Sequence, residues 1–114
     1  MKILVTGAAG FIGYHTVVAL LERGDDVVGL DNLSDYYDVG LKRARLAILA
    51  KYPSFQFEQL DLSDRDAMAG LFSSYQFDRV IHLGAQAGVR YSIENPFAYV
   101  DSNIQGTITV LEGC

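Results

Sequence analysis

The chain has 114 residues, half of them hydrophobic and a fifth charged, and carries a net charge of −5 at pH 7. That is enough for one folded domain; it excludes a disordered chain and argues against non-specific attraction to nucleic acid or an anionic membrane surface. A single cysteine, Cys114, excludes a disulfide framework and a thiolate metal site.

Lys2 to Thr6 (KILVT) reads as a short apolar strand. The apolar run from there to Leu21 resembles a secretory leader, but Thr6, Gly7, Gly10, Gly13, His15 and Thr16 interrupt it and no cleavage site follows. With no run of about 20 apolar residues either, a soluble, reducing, cytoplasmic setting without a membrane partner is expected. The segment FIGYHTVVALLERG places Ile12, Val17, Leu20 and Leu21 at helical spacing, and Gly24 suits a C-terminal cap. DVVGLD is a second strand, DNLSDYYDVG a polar loop, and LKRARLAILAKY a second helix stopped by Pro53. FQFEQLD alternates as a third strand. A third helix, SDRDAMAGLFSSY, reads with Ser63 as N-cap and acidic residues in its first turn. RVIHLGA is a fourth strand, and NPFAYVDSNIQGTITVLEGC a single fourth helix with Pro96 in its first turn.

Four alternations of strand and helix, with no repeat and no low-complexity linker, predict an α/β fold. It is a Rossmann-like, doubly wound parallel sheet of order 3-2-1-4, since parallel strands need right-handed helical crossovers. Residues 1–114 are then the N-terminal portion of such a domain, with strands five onward and any substrate domain absent from them.

Between the first strand and the first helix lies Gly7-x-x-Gly10-x-x-Gly13. Strand–loop–helix is the context in which a glycine loop holds a pyrophosphate: Gly7 turns the chain, Gly10 admits the phosphates, and Gly13 packs the helix on the strand. The helix N-terminus supplies unpaired N–H groups and a positive dipole end. Asp31 ends the second strand 18 residues after Gly13, near the spacing of a ribose-binding carboxylate. A 2′-phosphate beside it would meet like charge, on the order of several kcal/mol at ~4 Å. No Arg or Lys lies between Asp31 and Gly40 to offset that, so NAD rather than NADP is expected.

Taken together, TGAAGFIG, GLDNLSDYYD, LDLSD, VIHLGAQAGVRYSIENP and YVDSNIQGT resemble the extended short-chain dehydrogenase/reductases. Within these they are most similar to the NAD-dependent nucleotide-sugar epimerases and dehydratases, above all the UDP-glucuronate 4-epimerase type. The resemblance implies that Gly7, Ala9, Gly10, Phe11, Ile12 and Gly13 surround the pyrophosphate, with Asp31 and Asn32 on the adenosine ribose. It puts Asp61 and Leu62 at the adenine edge and Leu83, Gly84, Ala85 and Gln86 along the ribose and pyrophosphate. Asn103 would support the catalytic geometry and Arg90 would face the substrate. Family members usually read HLAAQ, and glycine at position 84 implies added backbone freedom beside the cofactor.

The implied reaction is a transient oxidation at the sugar C4′, with hydride returned to the other face, and it uses a Tyr-x-x-x-Lys pair. The lysines are Lys2, Lys42 and Lys51, and none has a tyrosine four residues before it. The resemblance therefore implies a chain that holds NAD without epimerising, the nucleotide sugar binding only in a full-length parent and no catalytic residue lying in 1–114. Three other readings stay open: a stand-alone NAD or adenine-nucleotide module, the same portion of a nucleotide-sugar dehydratase or reductase, and a fragment whose sheet edge assembles into an oligomer with no ligand role.

The remaining polar residues read structurally. His82 in mid-strand and His15 suit packing, Lys42, Arg43 and Arg45 a solvated helix face, and Tyr36 and Tyr37 loop packing. Strand four is an apolar sheet edge, and Val100, Ile104, Ile108 and Leu111 are expected to lie partly uncovered. A homodimer or larger assembly through strand four or the fourth helix follows.

Overall fold

In a computed structural model, which describes residues 1–33, 39–85 and 93–114, four strands alternate with helices. They are β1 (Lys2–Thr6), α1 (Phe11–Arg23), β2 (Asp26–Asp31), α2 (Val39–Leu49), β3 (Phe55–Gln59), α3 (Arg65–Ser74) and β4 (Arg79–His82). A last helical arm combines α4 (Pro96–Tyr99), a π-helical segment (Val100–Gln105) and α5 (Gly106–Gly113). The sheet is parallel with order β3-β2-β1-β4, as the alternation of elements predicts.

Alternation along β1 and β2 builds one hydrophobic layer on each side of the sheet. Ile3, Val5 and Val27 pack with Val17 and Leu21 of α1 and Leu49 of α2. Leu4, Val28 and Leu30 pack on the opposite face with Leu62, Met68 and Leu71, and with Val110 of α5. Gly24 closes α1 at φ 98°, its N–H reaching the Leu20 and Leu21 carbonyls, a left-handed conformation that glycine adopts without a Cβ penalty.

Four local readings need correction. Ile12 does not face the core but stands 67% exposed at the open start of α1. The second helix ends at Leu49, before Pro53 is reached. The N-cap of α3 is Asp64, whose side chain accepts from the Ala67 N–H. Ser63 is already committed, since its N–H and Oγ both donate to Asp61 Oδ1, at 2.9 and 2.8 Å.

The fourth correction concerns the arm from Pro96, which is not one regular helix. Pro96 occupies the first turn, as expected, and Asn95 caps the start through its side chain. The Gly106 N–H then reaches the Asp101 carbonyl five residues back, which defines the π segment. One extra residue in a turn rotates the helix by about 100°. That rotation lets Gly106, Thr109 and Val110 sit against the second core layer. A Cβ on Gly106 would stand 2.9 Å from Leu62 Cβ, and Thr109 Oγ1 lies 2.6 Å from the Leu62 carbonyl to which it donates.

Candidate functional site

All strands run the same way, so the loops after β1, β2, β3 and β4 gather at one edge of the sheet. The order reverses beside β1, where β2 and β4 flank it on either side. A crevice at such a reversal, outside the carboxyl ends of the strands, is where open α/β sheets bind ligands.

The loop after β1 is fixed by its backbone. Gly7 adopts φ 71°, and a Cβ there would lie 2.9 Å from the Gly84 N, so both conformation and space require glycine. A Cβ on Gly13 would overlap the Gly7 carbonyl oxygen; this residue lets α1 approach the loop and is buried away from the crevice. Gly10 is the N-cap of α1 and donates its own N–H to the Gly7 carbonyl at 3.1 Å, and a Cβ there would stand 3.3 Å from that same carbonyl oxygen, a tight contact. No side chain caps α1. The leading N–H groups of the helix, from Phe11 and Ile12, therefore have no intrahelical partner. Both side chains are 67% exposed, so this positive end opens to solvent, a geometry suited to a pyrophosphate.

Ala9 is tied into the fold through its backbone. Its N–H donates to Asp31 Oδ2 at 3.1 Å and its carbonyl accepts from Arg45 Nη1 at 3.0 Å. Both backbone groups are thus spent inside the fold, and the methyl is buried. Asp31, 5% exposed, also accepts from the Leu33 N–H at 2.8 Å and from Lys42 Nζ at 3.2 Å. Leu33 reaches it with φ 55°, a non-glycine residue in the left-handed region, held there by this turn at the end of β2. Asn32 beside it is exposed.

The basic cluster on α2 is consequently not a uniform solvated face. Arg43 is exposed, but Lys42 is only 8% exposed and pairs with Asp31, while Arg45 holds the glycine loop and lies 5.9 Å over the Phe11 ring. The absence of a cation between Asp31 and Gly40 in sequence does not hold in space, because α2 folds Lys42 back onto the carboxylate.

Thr6, at the end of β1, is the organising residue that the sequence reading passed over. Its fully buried Oγ1 accepts from the Leu83 and Gly84 N–H groups, both at 2.9 Å. A hydroxyl has two acceptor sites and one proton, so its proton must go to His82 Nδ1, 2.7 Å away. His82 is then neutral with its proton on Nε2, which donates to Thr107 Oγ1 at 3.2 Å; Thr107 in turn donates to the Asn103 carbonyl at 2.6 Å. Burial pushes the His82 pKa below its ordinary value of 6.5. These bonds make His82 structural. They also anchor the backbone at Gly84, so glycine there does not leave a loose segment.

Asp61 is exposed and turns one oxygen to Ser63, and Leu62 is a core residue whose carbonyl receives Thr109. Leu83 and Ala85 are exposed after β4. His15 is exposed, stacked edge-on with Phe11 and Tyr14. Tyr36, Tyr37, Gln86 and Arg90 lie outside the described residues. Among the described residues no group of three or more His, Cys, Asp or Glu is placed to hold a metal ion, and no helix is long and apolar enough to cross a membrane.

Residues 4–114 match the family model described as GDP-mannose 4,6 dehydratase. The chain belongs to that family. It is 59% identical over 114 residues to an uncharacterized 37.6 kDa protein of Escherichia coli O111:H-, covering 34% of that relative. It is 54% identical over 114 residues to UDP-glucuronate 4-epimerase 4 of Arabidopsis thaliana, covering 26% of it. The solved UDP-glucuronic acid 4-epimerase of Bacillus cereus, in complex with UDP-glucuronic acid and NAD, superposes with TM-score 0.88 at 41% identity, over 100% of this chain and 36% of that one. The chain spans about a third to a quarter of the length of the curated relatives it matches.

The His82 network has a pH signature. The unfolded chain takes up a proton on His82 near 6.5, whereas the folded chain resists it, so the unfolded state binds more protons just below that value. Stability should be fully present above pH 6.5 and fall as pH drops below it towards the lowered folded value. Urea titrations between pH 7.5 and about 5 should show this decline, and His82→Gln should flatten it. An equal decline in both proteins would contradict the assignment.

Proposed function

We propose that residues 1–114 are the NAD-binding N-terminal portion of a nucleotide-sugar epimerase of the UDP-glucuronate 4-epimerase type. The observation that carries this is the bond joining the glycine loop to Asp31 at the reversal of the sheet, beside the open N-terminus of α1, an arrangement that supports a pyrophosphate at the helix start and a ribose at the carboxylate. In this reading the N–H groups of Phe11 and Ile12 receive the pyrophosphate, Gly10 gives it room, and Asp31 accepts from the adenosine ribose. Asp61, Leu83, Gly84 and Ala85 flank the rest of the dinucleotide, and Gln86 is assigned to it from the sequence resemblance. NAD, when bound, supplies the acceptor for a hydride leaving the sugar C4′.

The family description names a dehydratase, while the Arabidopsis relative and the Bacillus structure are both UDP-glucuronate epimerases, which favours epimerisation. Arg90 is assigned to the substrate and Asn103 to support of the catalytic geometry. Epimerisation belongs to a longer protein, because no Tyr-x-x-x-Lys pair lies in these residues. A reducing, cytoplasmic setting suits such a cofactor-binding protein with a single free thiol, Cys114.

Self-association is the second part of the proposal. Phe97, Val100, Ile104, Ile108 and Leu111 are 46–78% exposed along one helical arm, and β4 is an edge strand. Such a stripe favours a homodimer or larger assembly. Light scattering at high protein concentration should give at least twice the chain mass; a monomer mass throughout would overturn it.

Calorimetric titration tests the main reading. The folded chain should bind NAD saturably, and Asp31→Ala should weaken binding by about tenfold or more, the scale of a lost charge-assisted hydrogen bond. Absence of NAD binding by a folded chain, or an affinity unchanged by Asp31→Ala, would refute it.

A further inference from the structure

The bonding capacity of Asp31 limits what it can do for a ribose. A carboxylate offers about four acceptor positions. Among the described residues three donors already occupy it: the N–H groups of Ala9 and Leu33, and Lys42 Nζ. The Ala9 and Leu33 bonds hold the loop and the turn, so they are part of the fold itself. At most one position, on Oδ2, is left for a ligand. The adenosine ribose presents two neighbouring hydroxyls, and Asp31 alone cannot satisfy both.

The missing partner is adjacent. Lys42 comes from α2 with its side chain 10% exposed and its Nζ 3.2 Å from Oδ1. An ammonium carries three donors, and Asp31 is its partner among the described residues, which leaves two N–H groups beside the carboxylate with no acceptor there. A nearly buried ammonium with unspent donors is costly unless something accepts from it. Arg45, the other cation of α2 near the loop, bonds the Ala9 carbonyl and lies over the Phe11 ring, whereas it is Lys42 that sits on the Asp31 carboxylate.

We propose that Lys42 is the second half of the clamp on the adenosine ribose. Asp31 accepts from one hydroxyl, and Lys42 donates to the oxygen of the other. The cationic residue of α2 thus becomes a determinant of nucleotide affinity, and the two members of the clamp read different hydroxyls. This assignment rests on the proposal that the chain binds NAD at this crevice.

The test is calorimetric binding of NAD and of two NAD analogues, lacking either the adenosine 2′- or the 3′-hydroxyl, to the wild-type chain and to Lys42→Met. Each analogue should bind the wild type about tenfold more weakly than NAD, one hydrogen bond's worth. In Lys42→Met, NAD itself should weaken about tenfold, the penalty for one missing hydroxyl should fall below about twofold, and the other penalty should persist. Two undiminished penalties in Lys42→Met would overturn the proposal, because the lysine would then touch neither hydroxyl. Penalties that shrink together would also overturn it, because Lys42 would be acting only by orienting Asp31. A check that does not need the variant is the Lys42 Cε–H resonance of the wild-type chain, which should move with NAD and stay unmoved with one analogue alone. Movement with both analogues, or with neither, would count against the clamp. If the wild type binds no NAD, the functional reading falls together with this one; if it binds NAD with both penalties unchanged by the substitution, only the clamp falls.

Discussion

The Asp31 carboxylate, buried at the end of β2, is the interaction on which the crevice depends. It receives the Ala9 N–H of the glycine loop, the Leu33 N–H of its own turn and the ammonium of Lys42 from α2. A buried charge needs that many partners, since removing it from water is costly unless pairing and hydrogen bonds compensate. Three separate pieces of chain are drawn to one point as a result. Arg45 adds a second tie from α2 to the same loop through the Ala9 carbonyl. The glycine loop is thus held in shape by side chains behind it, while its open face, the start of α1, stays unencumbered.

On the other side of β1, Thr6 does the corresponding work for the segment after β4. Its hydroxyl holds the Leu83 and Gly84 N–H groups and passes a hydrogen bond through His82 and Thr107 to the Asn103 carbonyl. The π segment that carries Asn103 is therefore tied to the sheet edge by a chain of neutral groups with one tautomer of His82. Both halves of the crevice are built the same way: a polar residue at a strand end collects backbone groups from neighbouring loops.

Much of this was legible in the residues, for local reasons. Glycine spacing, strand alternation, the left-handed cap at Gly24 and the proline at Pro96 act within a few residues of themselves, and the order β3-β2-β1-β4 follows from alternation and handedness. The role of Lys42 was not legible, because LKRAR gives no sign of which lysine or arginine faces the sheet until the phase of α2 is set by packing. Thr6 looked like the last residue of an apolar strand; its importance depends on β4, which is distant in sequence. The shift of the α3 cap from Ser63 to Asp64 turns on a competing bond from Asp61, and the π segment on how closely Gly106 approaches Leu62. For Lys42, Thr6 and the π segment a contact between separate segments overrode a sound local signal, whereas the α3 cap was decided by two local signals competing within Asp61–Asp64.

The central claim is that the crevice is assembled by these residues themselves, before any nucleotide arrives. Amide hydrogen exchange on the ligand-free chain tests it most directly, read at the Ala9 and Leu33 amides. Both should be strongly protected in the wild type and lose that protection in Asp31→Ala, while amides of β1 stay protected. Exchange of Ala9 and Leu33 at open-chain rates in the folded wild type would show that the carboxylate does not hold the loop.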